Sequence, residues 1–141
     1  MRQPNFKLGW FIPQQIAALT HFHTDVTTED FMGVIQTGQA LLQSIDNEFH
    51  VIIDNRFVAM SELATLVQMQ QMVPYMNHPG LRWVVVVKPE GLDIDTNTLA
   101  IEQAGNVQLK NVASLSEAIG FLQSTDTNLN WAQLNSAFFP E

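Results

Sequence analysis

The chain has no cysteine, which removes thiol nucleophiles, thiolate zinc sites, iron–sulfur clusters and disulfide staples together. A cytoplasmic location is the simplest expectation for such a chain. Charge is scarce as well: charged residues make up 14% of the sequence, and six Lys and Arg face 14 Asp and Glu for a formal net charge of -8. That acidic balance argues against a nucleic-acid backbone or an anionic membrane as the main partner. Long apolar runs are missing too. The longest, Trp83 to Val87, falls far short of the ~20 residues that cross a bilayer. The start, Met1-Arg2-Gln3-Pro4-Asn5, has no small-residue cleavage pattern, so neither a signal peptide nor a membrane span is expected. The G-x-G-x-x-G, P-loop, G-x-S-x-G and H-E-x-x-H patterns do not occur, and with them go the common nucleotide, hydrolase and zincin signatures.

What is present is apolar enough for one globular domain: 46% hydrophobic residues in 141. A chain of this mass should expose ~7,400 Å² when folded, against ~23,000 Å² when open. Leu8 to Ile12 and Ile16 to His23 are β-prone runs around Pro13-Gln14-Gln15, which suits an antiparallel hairpin. Thr27-Thr28-Glu29-Asp30 reads as a capping box, followed by the helical stripe Phe31, Val34, Ile35, Gly38, Leu41, Leu42 and Ile45. Gly33 and Gly38 cost that helix some propensity. Phe49 to Ile53 is a strand closing on Asp54. Ser61 is expected to cap a second helix running to Met76, with a kink at Pro74 before the Pro79-Gly80 turn.

Leu81 to Val87 has no polar face, as in strands buried on both sides within a largely parallel sheet. A third, shorter helix is expected from Asp95 or Thr96 through Ile101, stopped by Gly105. Val107 and Leu109 mark a short strand, and Ser114-Leu115-Ser116-Glu117 is a second capping box. The resulting order is β-β-α-β-α-β-α-β-α, a single α/β domain with a five-stranded mixed sheet and about four helices over residues 6–126. Residues 127–141 form a tail with Trp131, Leu134, Phe138 and Phe139, expected to dock on its own domain or on a second copy as a homodimer.

Few constellations suggest chemistry. His21-x-His23 on a strand would place two imidazoles on one face, with Asp25, His50 or Asp54 as further metal ligands. Hydrogen-bonded or half-exposed histidines explain the pair without a metal. Asp93-Ile94-Asp95-Thr96-Asn97 imitates the start of a calcium loop. Thr98 and Ala104 stand where that loop needs its Gly and Glu, so helix capping explains it better. Met60, Met69, Met72 and Met76 read either as a plastic binding face or as core filling. The loop after the third strand is the expected site. Asp54, Asn55 and Arg56 precede a helix N-terminus at the carboxyl end of the sheet, with Met60 and Ser61 beside them. No catalytic residue, metal or cofactor is expected.

The hairpin, the Thr27-Thr28-Glu29-Asp30-Phe31 helix start, Val51-Ile52-Ile53-Asp54 before a loop, the Trp83-Val84-Val85-Val86-Val87 strand and the Ser114-Leu115-Ser116-Glu117-Ala118 helix together resemble the STAS domain. They are most similar to its SpoIIAA-like bacterial branch. The resemblance implies a non-enzymatic signalling module of the anti-sigma-factor-antagonist kind. Such a module binds or releases a regulatory kinase or anti-sigma factor through phosphorylation of a helix-start Ser, here Ser61. The family's site reads roughly Asp-Ser-Ser-Gly. Ala59-Met60-Ser61-Glu62-Leu63 lacks that Asp and Gly, which counts against the phospho-switch. Similarity of that branch to CRAL/TRIO lipid carriers implies the alternative, a small apolar-ligand binder. A third alternative is an enzyme using His21, His23 or Asp54.

Overall fold

The computed structural model describes residues 4–59, 63–92 and 100–140. A hairpin opens the chain: β1 (Lys7–Ile12) pairs antiparallel with β2 (Ile16–Thr20), with a register shift between Trp10 and Ile12. Helix α1 (Thr28–Leu42) follows. Strand β3 (Phe49–Asp54) then lies parallel to β2, and helix α2 (Leu66–Met72) leads through a 3₁₀ turn at Pro74–Asn77 into β4 (Leu81–Val87), parallel to β3. Two short steps complete the sheet: β5 (Glu102–Ala104) runs antiparallel to β6 (Val107–Val112), which itself lies parallel to β4. Helix α3 (Leu115–Thr125) and a 3₁₀ turn at Trp131–Gln133 follow, and the tail continues without regular structure. The spatial order is β1-β2-β3-β4-β6-β5.

The valine strand sits where its composition places it, between β3 and β6. Val84 and Val86 face α1 and α2, while Val85 and Val87 face α3 and the tail. The whole chain exposes 7655 Å², close to the value expected from its mass.

The expected elements need correction at several points. The sheet has six strands rather than five, and the described residues hold three α-helices rather than four. Where the third helix was to run, residues 93–99 lie outside the described ones, while Glu102–Ala104 form β5. Gly105, at φ +62°, turns that strand back into β6 instead of capping a helix. The second helix is shorter than its apolar spacing suggests. Thr65 rather than Ser61 caps it, accepting from the Gln68 N–H, with Gln68 reciprocating, and it stops at Met72. Val73 is extended because it precedes Pro74, so the proline starts a 3₁₀ turn rather than kinking an α-helix.

The glycines of α1 are sites of close approach. A Cβ at Gly33 would come within 2.7 Å of the Phe6 ring, and one at Gly38 would collide with the ring of Tyr75. Two aromatic rings thus rest directly on the helix backbone. On the opposite face the tail does the covering: Phe138 is 3% exposed, and Trp131, Leu134 and Phe139 pack around it. The Asn135 N–H donates to the Phe11 carbonyl at 2.8 Å, and Lys7 Nζ donates to the Phe138 carbonyl at 3.0 Å while lying 4.4 Å from its ring centroid. The aromatic side chains that suggested self-association are therefore spent on the chain's own sheet.

Candidate functional site

Strand register aligns the carboxyl ends of the four parallel strands, pairing Thr20 with Asp54, Asp54 with Val87, and Val87 with Val112. Polar residues survive burial at this edge because they satisfy one another. Asp54 is 1% exposed, and its carboxylate accepts four hydrogen bonds. Oδ2 takes Thr20 Oγ1–H at 2.8 Å and Arg56 Nη2–H at 3.0 Å, while Oδ1 takes Arg56 Nε–H at 2.9 Å and the Arg56 backbone N–H at 3.1 Å. The guanidinium fork matches the carboxylate in the bidentate, charge-assisted geometry that makes such pairs strong. Arg56 Nη2 also donates to the Pro140 carbonyl at 2.7 Å, and its guanidinium carbon lies 4.9 Å from the Phe57 ring centroid.

The loop is held further by its backbone. Asn55 N–H donates to the Val87 carbonyl, Val58 N–H to the Asn55 carbonyl, and Glu90 N–H to the Arg56 carbonyl. Residues 55–58 are half-buried and Ala59 is exposed. Of the residues expected to form a partner surface, Asp54 is interior and paired with Arg56, whereas Asn55 and Arg56 are half-buried at the surface. Met60 and Ser61 lie outside the described residues. On α2, Met69 packs against the core and Met76, in the following turn, is buried within it, while Met72 is exposed.

The histidines separate. Strand β2 stops at Thr20, so His21 and His23 do not share a strand face. His21 is buried and its Nδ1 lies 2.7 Å from the Asn5 carbonyl, which makes Nδ1 the protonated nitrogen. His23 Nδ1 accepts from the Asp25 N–H. His50 lies at the other end of the parallel strands, near the start of β3, its Nε2 2.8 Å from Asp126 Oδ2 just after α3. Burial raises the Asp126 carboxyl pKa. The hydrogen bond from His50, the Asn128 N–H and the His50 charge outweigh it and hold the group below its ordinary value. Among the described residues no group of three or more His, Asp or Glu is placed to hold a metal ion.

Sequence reasoning passed over Asn5, which organises the β2–α1 connection. Fully buried, it donates from Nδ2 to the carbonyls of His23 and Asp25, accepts at Oδ1 from the N–H groups of Phe22 and His23, and donates its own N–H to Asp30. Thr20 was passed over likewise; its place at the last position of an otherwise apolar strand was the available signal.

Two open grooves flank the helix layer. One, of 360 Å³, lies beside the first half of α1 and is lined by Phe6, Glu29, Met32 and Gly33 among others; a second, of 240 Å³, runs between the end of α1, Tyr75 and His78. Compared with protein-family models, with curated proteins and with solved structures, the chain matches none.

Proposed function

We propose that this chain is a non-enzymatic regulatory module of the STAS, SpoIIAA-like kind that binds a protein partner through the loop after β3. The observation that carries the reading is the fourfold engagement of Asp54. With its oxygens committed to Thr20 and Arg56, the carboxylate serves as an anchor that presents a half-buried guanidinium and the Asn55–Ala59 loop in one conformation. Topology points the same way. The parallel strands advance β2-β3-β4-β6 without reversal, so the order does not create the switch-point crevice in which open α/β sheets collect small ligands. A regulatory kinase or anti-sigma factor in a bacterial-type cytoplasm is the partner class that the resemblance implies; the missing Asp and Gly around Ser61, and a helix capped at Thr65, count against a phosphorylation switch at that residue.

A photo-crosslinking residue at Ala59, set against one at Ser124 on the exposed side of α3, tests this in cells. The expected result is a discrete adduct with one protein from position 59, lost in the Arg56→Ala variant whose circular dichroism is unchanged, and no adduct from position 124. Adducts at neither position or at both, or retention in Arg56→Ala, would count against the reading. A co-purifying amphiphile in native mass spectrometry would favour apolar-ligand binding instead.

A further inference from the structure

The strap formed by the tail reaches beyond the sheet face it covers. Phe138, 3% exposed, pins it into the core, and the Phe138 N–H closes a turn by donating to the Asn135 carbonyl at 3.1 Å. Two residues on, Pro140 is only half-buried, and its carbonyl meets the loop after β3, accepting from Arg56 Nη2 at 2.7 Å. Lys7 makes the same kind of contact to the Phe138 carbonyl, so two of the chain's six Lys and Arg donate to the backbone of the strap. The pin and the end hold with different firmness. Withdrawing Phe138 uncovers apolar surface of the sheet. Lifting Pro140 breaks one hydrogen bond from a guanidinium whose side chain is 20% exposed and which Asp54 keeps in place. A neutral carbonyl is also a weaker acceptor for a guanidinium than a carboxylate is. The Pro140 end can therefore be exchanged for another acceptor while the rest of the strap stays packed.

We propose that the Pro140 end of the strap is an autoinhibitory latch: it occupies, on Arg56, the place that an acceptor group of the protein partner takes, and partner binding displaces it. The proposal rests on the interaction-module reading and supplies its regulation. A site open for only a fraction of the time binds with its affinity reduced by that fraction, so loosening the latch should tighten binding without adding a contact.

Phe139→Ser with Pro140→Gly, in the full chain, loosens the end and keeps the Phe138 pin. With the photo-crosslinking residue at Ala59, this variant should give roughly threefold more adduct than the parent chain. Gly33→Ala, which disturbs the opposite face of the sheet, should give no more. With no partner present, phenylglyoxal should label Arg56 several times faster in the loosened variant, Arg82 with its Glu48 pairing serving as the internal reference. Pro140→Gly alone, which leaves the Phe139 ring in place, should move both readouts the same way by less. An adduct of unchanged yield would overturn the latch and leave the module standing. Less adduct from the loosened variant would make the strap end part of the docking surface, and more adduct with unchanged Arg56 labelling would mean that the strap hides something else; either overturns the proposal. No adduct from parent or variant removes the module reading and the latch with it.

Discussion

Helices α1 and α2 cover one face of the sheet with regular structure, while α3 covers only part of the other and leaves the remainder to the aromatic residues of the tail. The first solution needs small residues, because a helix can sit close to Phe6 and Tyr75 only where it lacks a Cβ. The second needs large ones, because a strap without periodicity has few side chains to contribute and each must bury much area. Glycine and aromatic content, read as defects of a helix and as an exposed patch, are the two halves of one packing problem.

Removing a large group from the strap should do the most damage. Phe138→Ala is expected to cost ~4 kcal/mol in urea unfolding, since it opens a cavity under Phe11 and Phe139. A loss below ~1 kcal/mol would mean that the tail is ornamental. Adding a small group to the helix comes next: Gly38→Ala should cost ~2 kcal/mol by forcing the buried Tyr75 ring aside. Gly33→Ala should cost less, because Phe6 is only half-buried and can yield. Equal effects at the two positions would show that ring burial does not set the penalty.

A smaller effect is expected where the tail face is tied to β3. Asp126→Ala should lose ~1 kcal/mol at neutral pH by removing the His50 hydrogen bond. The sign of its pH dependence follows from the depressed Asp126 pKa. The carboxylate contributes stability above its unfolded value, and that contribution fades as pH falls through the folded one. The gap between variant and parent should therefore close in acid; a constant gap would contradict the pairing. The smallest effect is spectroscopic. Burial pushes the phenol of Tyr75, the one tyrosine of the chain, up to about 12. Its 295 nm absorbance should stay flat through pH 10 while the protein is folded, and stability should decline between the ordinary and raised values, because there the unfolded chain releases the proton first. A normal titration near 10 would place the ring in water.

Elements whose signals are local could be read before folding. Thr27 and Asp30 form the expected reciprocal cap, and the Trp83–Val87 run lies in the middle of the sheet. Ser114 caps α3 as expected, although Glu117 returns its bond to the Ala113 N–H rather than to Ser114. What escaped depends on partners distant in sequence. Glu102–Ala104 is too short to announce a strand and exists by pairing with β6, while the role of Asn5 rests on contacts up to 25 positions away. At the site, the loop after β3 was legible from the placing of Asp54 before a turn. That Thr20 and Arg56 would take up its oxygens was not, since strand register decides which side chain stands next to which.

The outer margins of the sheet have a consequence for handling the protein at high concentration. One margin is the three-residue β5; the other, β1, begins with Lys7, is irregular after Trp10, and gives its Phe11 carbonyl to the tail. Neither offers the long, flat row of open amides on which foreign strands template. A protein so blunted should resist fibril growth even where its acidic charge is screened by salt, and cutting the tail, which frees the Phe11 carbonyl, should shorten the lag before thioflavin fluorescence rises.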